Sequence, residues 1–159
     1  MKKILIISYY WPPNTGSGVQ RWLKFSKYLL DFGWKPIIVT PENPYIELKD
    51  NEMEENISEE IDVIKFPIWE PYSIKDSLFG KSKKSQTSGL ISKDKSLKDK
   101  LLNWIRGNIF IPDPKKYWIT PTFNNLKKIV KDQKIEYIIS TGPPHSMHLI
   151  ALKLKEKFK

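Results

Sequence analysis

The chain has 159 residues, 40% of them hydrophobic and 28% charged, and its 27 Lys and Arg against 18 Asp and Glu give a formal charge of +9. That length suffices for one domain with a core, and six Trp, seven Tyr and seven Phe exclude disorder of the whole chain. With no Cys and two His, the sequence excludes disulfides and thiolate metal sites and opposes a multi-histidine zinc site, so it predicts no metal and no cofactor.

The beginning of the chain predicts a strand, a helix and a parallel second strand. Lys3–Ser8 is a short β-branched apolar run, typical of a strand buried on both faces. From Val19 apolar residues recur at helical spacing, and Gly33 ends the helix. Three aromatic residues are expected to widen its apolar face, namely Phe25, Tyr28 and Phe32. Lys35–Thr40 is the second strand and completes a unit of the right length for a parallel crossover.

A third strand is predicted at Ile61–Phe66, after an acidic and polar stretch. Between Lys81 and Lys100 there are seven Lys and two Asp with Ser interspersed. Apolar residues do not recur at a regular spacing in this stretch, so the sequence predicts a mobile Lys- and Ser-rich insertion around residues 80–97. The apolar residues that follow, from Leu97 to Ile105, have the spacing of an amphipathic helix.

The end of the chain predicts a helix, a strand and a second helix. Thr120 and Pro121 form a suitable cap and first-turn pair for a helix that ends near Asp132. Ile135–Thr141 is the fourth predicted strand. The final helix is expected to turn its apolar residues inward, namely Met147, Ile150, Ala151, Leu154 and Phe158.

The alternation of strands and helices predicts an α/β fold, a Rossmann-like parallel sheet flanked by helices. A doubly wound order of 3-2-1-4 places the first and fourth strands side by side, and ligands bind in the crevice beyond their carboxyl ends. The loops expected at that crevice are Tyr9–Gly18 and Thr141–His145. The last helix has no following strand, so the chain is expected to be half of something larger.

The loop Gly16-Ser17-Gly18 precedes a helix. Its backbone N–H groups and the positive end of the helix dipole suit a phosphate group. A dinucleotide fingerprint would have a third small residue where Arg21 stands, so a flexible loop with a glycine cap is the alternative. Arg21 lies in the first helical turn, where it reaches an anion or is simply solvated.

His145 follows two prolines at a strand-to-helix junction beside the crevice. There an imidazole can bind a hydroxyl group or act as a general acid or base, whereas a capping or packing role is the alternative. The aromatic cluster Tyr9-Tyr10-Trp11 either stacks on a sugar ring or packs beneath the loop.

The positive charge indicates a polyanionic or anionic partner. The Lys-rich segment with its neighbouring aromatic residues favours an anionic membrane surface; nucleic acid competes on charge alone, and a solvated loop needs no partner. The apolar runs are too short to span a bilayer, and the N-terminus lacks a signal-peptide cleavage site. The sequence therefore predicts a cytoplasmic protein, with peripheral attachment at the inner face of the cell membrane as an extension of that prediction.

Three segments together resemble the N-terminal domain of bacterial family 4 glycosyltransferases. They are Lys3 to Trp22 with its Tyr-Tyr-Trp-Pro-Pro and Gly-Ser-Gly stretches, Ser140 to His148, and Ile111 to Pro114 with Trp118. The resemblance implies a GT-B fold, in which two Rossmann-like domains face a cleft, the first binds mainly the acceptor, the second binds the nucleotide-sugar, and transfer retains anomeric configuration without a metal. It further implies that Gly16 and Gly18 lie near the donor phosphates and that His145 is the catalytic residue beside the transferred sugar.

The resemblance thus implies that residues 1–159 form the acceptor-side domain of an enzyme that moves a sugar to a polysaccharide or glycolipid. The donor-binding C-terminal domain would be absent and the chain alone inactive. The residues expected to bind substrate are Tyr10, Trp11, Gly16, Ser17, Gly18, Arg21, Thr141 and Gly142. A stand-alone Rossmann-like module that binds a nucleotide or nucleic acid without catalysis is the alternative, and nucleic acid is the less favoured partner.

Overall fold

A computed structural model describes residues 1–46, 48–70, 104, 108 and 110–159. Its strands are β1 (Lys2–Ile7), β2 (Trp34–Pro41), β3 (Asp62–Phe66) and β4 (Tyr137–Ser140). Its α-helices are α1 (Ser17–Asp31), α2 (Glu52–Glu55), α3 (Ile119–Asp132) and α4 (Ser146–Lys157). A 3₁₀ helix at Pro114–Trp118 leads directly into α3.

The four strands form one parallel sheet in the order β3-β2-β1-β4. This arrangement confirms the predicted Rossmann-like α/β fold and the predicted strand order. In the central strand β1, Leu5 pairs with Ile37 of β2 on one side and with Ile138 of β4 on the other. The carboxyl ends of β1 and β4 therefore lie next to each other.

Apolar residues of β1 belong to two cores, one on each face of the sheet, because successive side chains of a strand point to opposite faces. Leu5 and Ile7 belong to the core that α3 and α4 cover. Ile6 belongs to the core on the other face, together with Leu23 of α1 and Trp11. Since both faces are covered, β1 is a continuous apolar run rather than an alternating one.

One prediction about α1 is wrong, because its aromatic residues do not join the core. Phe25, Tyr28 and Phe32 are 50%, 63% and 78% exposed. Residues at these spacings share one helical face, and here that face is opposite the buried Leu23. The end of α1 is as predicted: Gly33 has a φ of +76°, which favours glycine, and its N–H bonds to the Leu30 carbonyl.

The predicted start of the helix at Thr120 is also wrong. α3 begins at Ile119 and continues the 3₁₀ helix, so the capping residue is Asp113, which accepts a hydrogen bond from the Lys115 N–H. Pro121 is the third residue of α3, and the beginning of an α-helix is where proline is best tolerated. In α4, Phe158 is exposed rather than inward, because it lies beyond the last helical residue.

Two predictions fall largely outside the described residues. They are the mobile insertion around 80–97 and the amphipathic helix between Leu97 and Ile105. Among the helices that are described, none is both long and apolar enough to cross a membrane.

Candidate functional site

A cleft of about 350 Å³ opens at the carboxyl ends of β1 and β4. It lies between the loop that precedes α1 and the loop that precedes α4, at the point where the strand order reverses. In such sheets this is the position where ligands bind. The structure brings seven of the predicted site residues together here, namely Tyr10, Gly16, Ser17, Gly18, Arg21, Thr141 and Gly142.

The N-terminus of α1 forms one wall of the cleft. Gly16 occupies the cap position with a φ of +125°, a conformation that disfavours side chains. Among the residues that the structure describes, no side chain is bonded to this helix end, and its first turn holds no acidic residue. The first-turn N–H groups and the positive end of the helix dipole are therefore available to an anion.

The opposite wall is tied to α1 by a side-chain hydrogen bond. The Trp22 indole Nε1 donates to Thr141 Oγ1 at 2.8 Å, and the Thr141 N–H donates to the Ile7 carbonyl at 3.0 Å. The Arg21 guanidinium lies 6.0 Å from the Trp22 ring centre and also lines the cleft. The bond between Trp22 and Thr141 was not predicted from the sequence, because the two residues are 119 positions apart.

The adjacent aromatic residues Tyr10 and Trp11 lie in different environments. Tyr10 is 41% exposed and lines the cleft, whereas Trp11 is 2% exposed and packs against the core that contains Ile6 and Leu23. Trp11 is outside the cleft lining, so its position favours the packing alternative. The backbone carbonyl of Tyr10 is held by the Ser8 hydroxyl at 2.9 Å.

His145 lies beside the cleft rather than in its lining. It occupies the cap position of α4, is exposed, and makes no capping hydrogen bond through its side chain. A Cβ added at Gly142, which does line the cleft, would lie 3.3 Å from His145 Nδ1 and 2.7 Å from His148 Nε2. The other nitrogen of His148, Nδ1, is 2.8 Å from Ser140 Oγ.

Asp113, which sequence reasoning missed, fills the N-terminus of α4. Its Oδ2 accepts a hydrogen bond from the Ser146 N–H at 2.7 Å, and its Oδ1 accepts from the Ser146 hydroxyl and from the Lys115 N–H, both at 2.8 Å. One carboxylate thus caps α4 and the 3₁₀ helix together. The local cap was readable from Asp113 followed by Pro114, but the bond to a helix 33 residues away was not.

A buried cluster lies under the loop after β1. The Tyr9 hydroxyl donates to Glu70 Oε1 at 2.6 Å, the Tyr45 N–H donates to Oε2 at 2.7 Å, and Lys115 Nζ forms a salt bridge with the same carboxylate. Glu70 is only 4% exposed. Burial, followed by the adjacent Glu70 carboxylate, raises the pKa of Tyr9 far above its ordinary range. Tyr9 therefore stays protonated and acts as a donor.

Comparison of the chain with protein-family models, curated proteins and solved structures finds no match. In the part of the chain that the structure describes, no group of three or more His, Cys, Asp or Glu side chains could hold a metal ion. Functional inference therefore depends on the geometry of the cleft.

Proposed function

We propose that this chain is the acceptor-side domain of a retaining sugar transferase of the GT-B type, acting on a nucleotide-sugar donor and a polysaccharide or glycolipid acceptor. The observation that carries the proposal is the uncapped N-terminus of α1, which opens into the cleft at the β1 and β4 carboxyl ends. Phosphate oxygens suit such a helix end. The half-exposed Tyr10 ring beside it offers an apolar face for a sugar.

In this proposal each wall of the cleft has a chemical role. The first-turn N–H groups of α1 and the Arg21 guanidinium stabilise the negative charge that develops on the departing donor phosphate. The bond between the anomeric carbon and the donor phosphate breaks as the acceptor hydroxyl attacks on the same face, which retains the configuration, and the hydroxyl proton passes to the departing phosphate. His145, at the rim beside Gly142, positions or polarises a sugar hydroxyl.

An anionic membrane is the partner that fits a lipid-linked acceptor. The predicted Lys-rich surface lies outside the described residues, but α1 exposes Phe25 and Tyr28, with Lys24 and Lys27 nearby, and Phe32 is exposed directly after its last residue. Exposed aromatic residues with basic neighbours are typical of interfacial helices, and each Lys near an anionic leaflet contributes about 1 kcal/mol.

Co-sedimentation with anionic and neutral vesicles tests this partner. The variant Phe25→Ser/Phe32→Ser should lose binding to anionic vesicles, and a control variant of an exposed aromatic residue elsewhere, Phe158→Ser, should retain it. Equal loss in both variants, or equal binding to both lipids, would remove the α1 face from the proposal.

Ligand titration tests the cleft itself. The probes are inorganic pyrophosphate, a nucleoside diphosphate and a nucleoside diphosphate-hexose. Binding is monitored through the NMR amide resonances of residues 16–22. Arg21→Ala should weaken binding about tenfold, since a hydrogen bond to a charged group contributes about 1.5 kcal/mol or more. Lys24→Ala removes the same charge about one turn further along α1, at a residue that does not line the cleft. It should weaken binding little.

The outcomes separate the proposal from its alternative. If Arg21→Ala and Lys24→Ala weaken phosphate binding equally, Arg21 acts only through general charge attraction and not through contact in the cleft. Tighter binding of a single-stranded oligonucleotide than of the nucleoside diphosphates would favour the nucleic-acid module. No resonance shift with any phosphate probe would contradict the proposal.

A further inference from the structure

Trp22 of α1 reaches across the cleft to Thr141. Its indole Nε1 lies 2.8 Å from Thr141 Oγ1, and both residues line the cleft. An indole N–H can donate a hydrogen bond but cannot accept one. The Thr141 oxygen is therefore the acceptor in this contact.

The direction of this bond decides what the Thr141 hydroxyl offers to a ligand. A hydroxyl group has one proton and two lone pairs. Because Trp22 is the donor, the hydroxyl proton points away from the indole. In the part of the chain that the structure describes, the indole is the one hydrogen-bond partner of this hydroxyl, so its proton is left for an acceptor in the cleft.

Other donors are scarce on this wall, which the loop before α4 forms. The Thr141 N–H is bonded to the Ile7 carbonyl at 3.0 Å. Pro143 also lines the cleft and has no N–H group. The Thr141 hydroxyl thus provides a donor on one wall, and the first-turn N–H groups of α1 provide donors on the other. A ligand held between the walls meets donors from both sides.

Trp22 is itself held in place by its neighbours. Its ring packs against the core that contains Leu23, and the Phe25 ring meets it edge-on with ring centres 5.7 Å apart. The Arg21 guanidinium, 6.0 Å from the same ring, is at the distance of a cation–π contact. A fixed indole therefore orients the Thr141 hydroxyl through Nε1 and contacts the cationic group of the cleft through its ring.

We propose that Trp22 is a positioning residue that fixes the Thr141 hydroxyl as a donor, and that this donor makes the cleft selective for phosphoryl oxygens. The inference rests on the proposed function, because it names a side chain that holds the donor phosphate there. Ionised phosphate oxygens accept hydrogen bonds that are about twice as strong as those between neutral groups. A sugar hydroxyl both donates and accepts, so it gains less from a donor of fixed direction.

Titration of two Thr141 variants with inorganic pyrophosphate tests the donor. Thr141→Val keeps the shape of the side chain without its hydroxyl and should weaken binding about tenfold, since a hydrogen bond to a charged group is lost. Thr141→Ser keeps the hydroxyl and should retain most of the affinity. Thr122→Val is the matched control, because the buried Thr122 hydroxyl has no partner among the described residues and lies outside the cleft lining. It should bind like the parent protein.

A double-mutant cycle tests the role of Trp22. Trp22→Phe keeps an aromatic ring but removes the indole N–H, and should weaken pyrophosphate binding several-fold because the Thr141 hydroxyl is then free to rotate. In the Thr141→Val background the same change should add little, since no hydroxyl is left to orient; such non-additivity marks residues that act on each other. Trp34→Phe, a similar change outside the cleft lining, should leave binding unchanged.

The indole N–H resonance of Trp22 supplies a signature that packing alone does not produce. Pyrophosphate should shift this resonance, because the bond from the indole strengthens when the hydroxyl donates onward to a phosphate oxygen. The shift should be absent in Thr141→Val. Additive losses in the cycle, or an indole resonance that bound pyrophosphate leaves unmoved, would reduce Trp22 to a packing residue and overturn the proposal.

The outcomes separate this inference from the proposed function. If Thr141→Val binds pyrophosphate as tightly as the parent protein while Arg21→Ala binds it weakly, the inference is overturned and the proposed function stands. If the parent protein binds no pyrophosphate, both are contradicted. If Trp22→Phe does not fold, the two Thr141 variants and the indole resonance of the parent protein decide the question.

Discussion

The helices α1 and α4 both begin at the carboxyl edge of the sheet, after neighbouring parallel strands, yet their N-termini are treated differently. The end of α4 is filled by the Asp113 carboxylate, which bonds to the N–H and the hydroxyl of Ser146. The end of α1 begins at Gly16, and no side chain in the described part of the chain caps it. Both helix ends present N–H groups and a positive dipole. The chain supplies its own anion to one and leaves the other open to the cleft.

The closed end is part of a larger polar assembly, here called the closed corner and consisting of Tyr9, Glu70, Asp113, Lys115 and Ser146. Lys115 joins its two halves, because its backbone N–H bonds to Asp113 and its side chain pairs with Glu70. The open corner consists of residues 16–22 with Thr141. We expect substitutions in the closed corner to cost stability and substitutions in the open corner to cost ligand binding.

The largest effect is expected for Glu70→Ala. It removes a buried acceptor from the Tyr9 hydroxyl and the Tyr45 N–H and leaves Lys115 without this carboxylate. Breaking a buried pair in this way should lower the free energy of unfolding by about 3 kcal/mol, as measured by urea denaturation.

A surface pair provides the control for this change. Lys65 and Glu54 lie 3.4 Å apart with side chains that are 43% and 42% exposed. Lys65→Ala should therefore cost well under 1 kcal/mol. Similar losses in the Glu70 and Lys65 variants would show that the closed corner is no more important for stability than a surface ion pair.

Asp113→Ala should have the next largest effect. It removes three hydrogen bonds and the caps of two helices, and caps contribute about 1 kcal/mol each, so a loss of about 2 kcal/mol is expected in urea denaturation. Asp113→Asn keeps an acceptor and should lose less. Asp50→Ala, which removes one exposed bond to the Glu52 N–H of the short helix α2, should cost little; an equal loss there would contradict the double-cap argument.

The contrast between the corners also marks what the sequence allowed us to predict. The strands followed from β-branched runs, and the open corner followed from Gly16 and Gly18 before a helical pattern, because these signals are local. The strand order followed from the doubly wound arrangement that alternating strands and helices adopt. The partners of Asp113 and Glu70 could not be predicted, since Ser146 and Tyr9 are 33 and 61 residues away.

Periodicity failed in α1 for a related reason. Phe25 and Phe32 have the hydrophobicity of core residues, but the buried stripe of α1 was already set by Val19 and Leu23. Hydrophobicity alone does not say which of two apolar faces meets the sheet. In the same way, the neighbours Tyr10 and Trp11 differ in burial because of where the loop runs, which only tertiary structure decides.

Tyr9→Phe should reduce stability by about 1.5 kcal/mol near pH 8, because it removes a hydrogen bond to a charged group. The difference in unfolding free energy between the parent protein and Tyr9→Phe should depend on pH. The pKa of Tyr9 is raised in the folded state by burial and by Glu70, so above the ordinary Tyr pKa of about 10 the unfolded state releases a proton that the folded state keeps. The stabilisation is therefore present below that pH and lost above it.

Urea denaturation of both proteins at about pH 8 and about pH 11 measures this effect. The gap between the parent protein and Tyr9→Phe should narrow at the higher pH, by up to about 1.4 kcal/mol for each unit above the ordinary pKa. A gap that stays constant across this range would show that Tyr9 has no raised pKa in the fold.

Gly18→Ala should have the smallest effect on stability, and of opposite sign. Gly18 is the second residue of α1, has no positive φ, and an added Cβ meets nothing within 4 Å, so Ala should raise the free energy of unfolding by about 0.5 kcal/mol. The same methyl group projects where Gly18 lines the cleft and should weaken pyrophosphate binding, because it obstructs approach to the first-turn N–H groups. Gly16→Ala is the contrasting control, since a φ of +125° makes Ala strained there and should lower stability. Unchanged pyrophosphate binding in a stabilised Gly18→Ala protein would mean that the open corner is only an uncapped helix end, and that the difference from α4 has no role in binding.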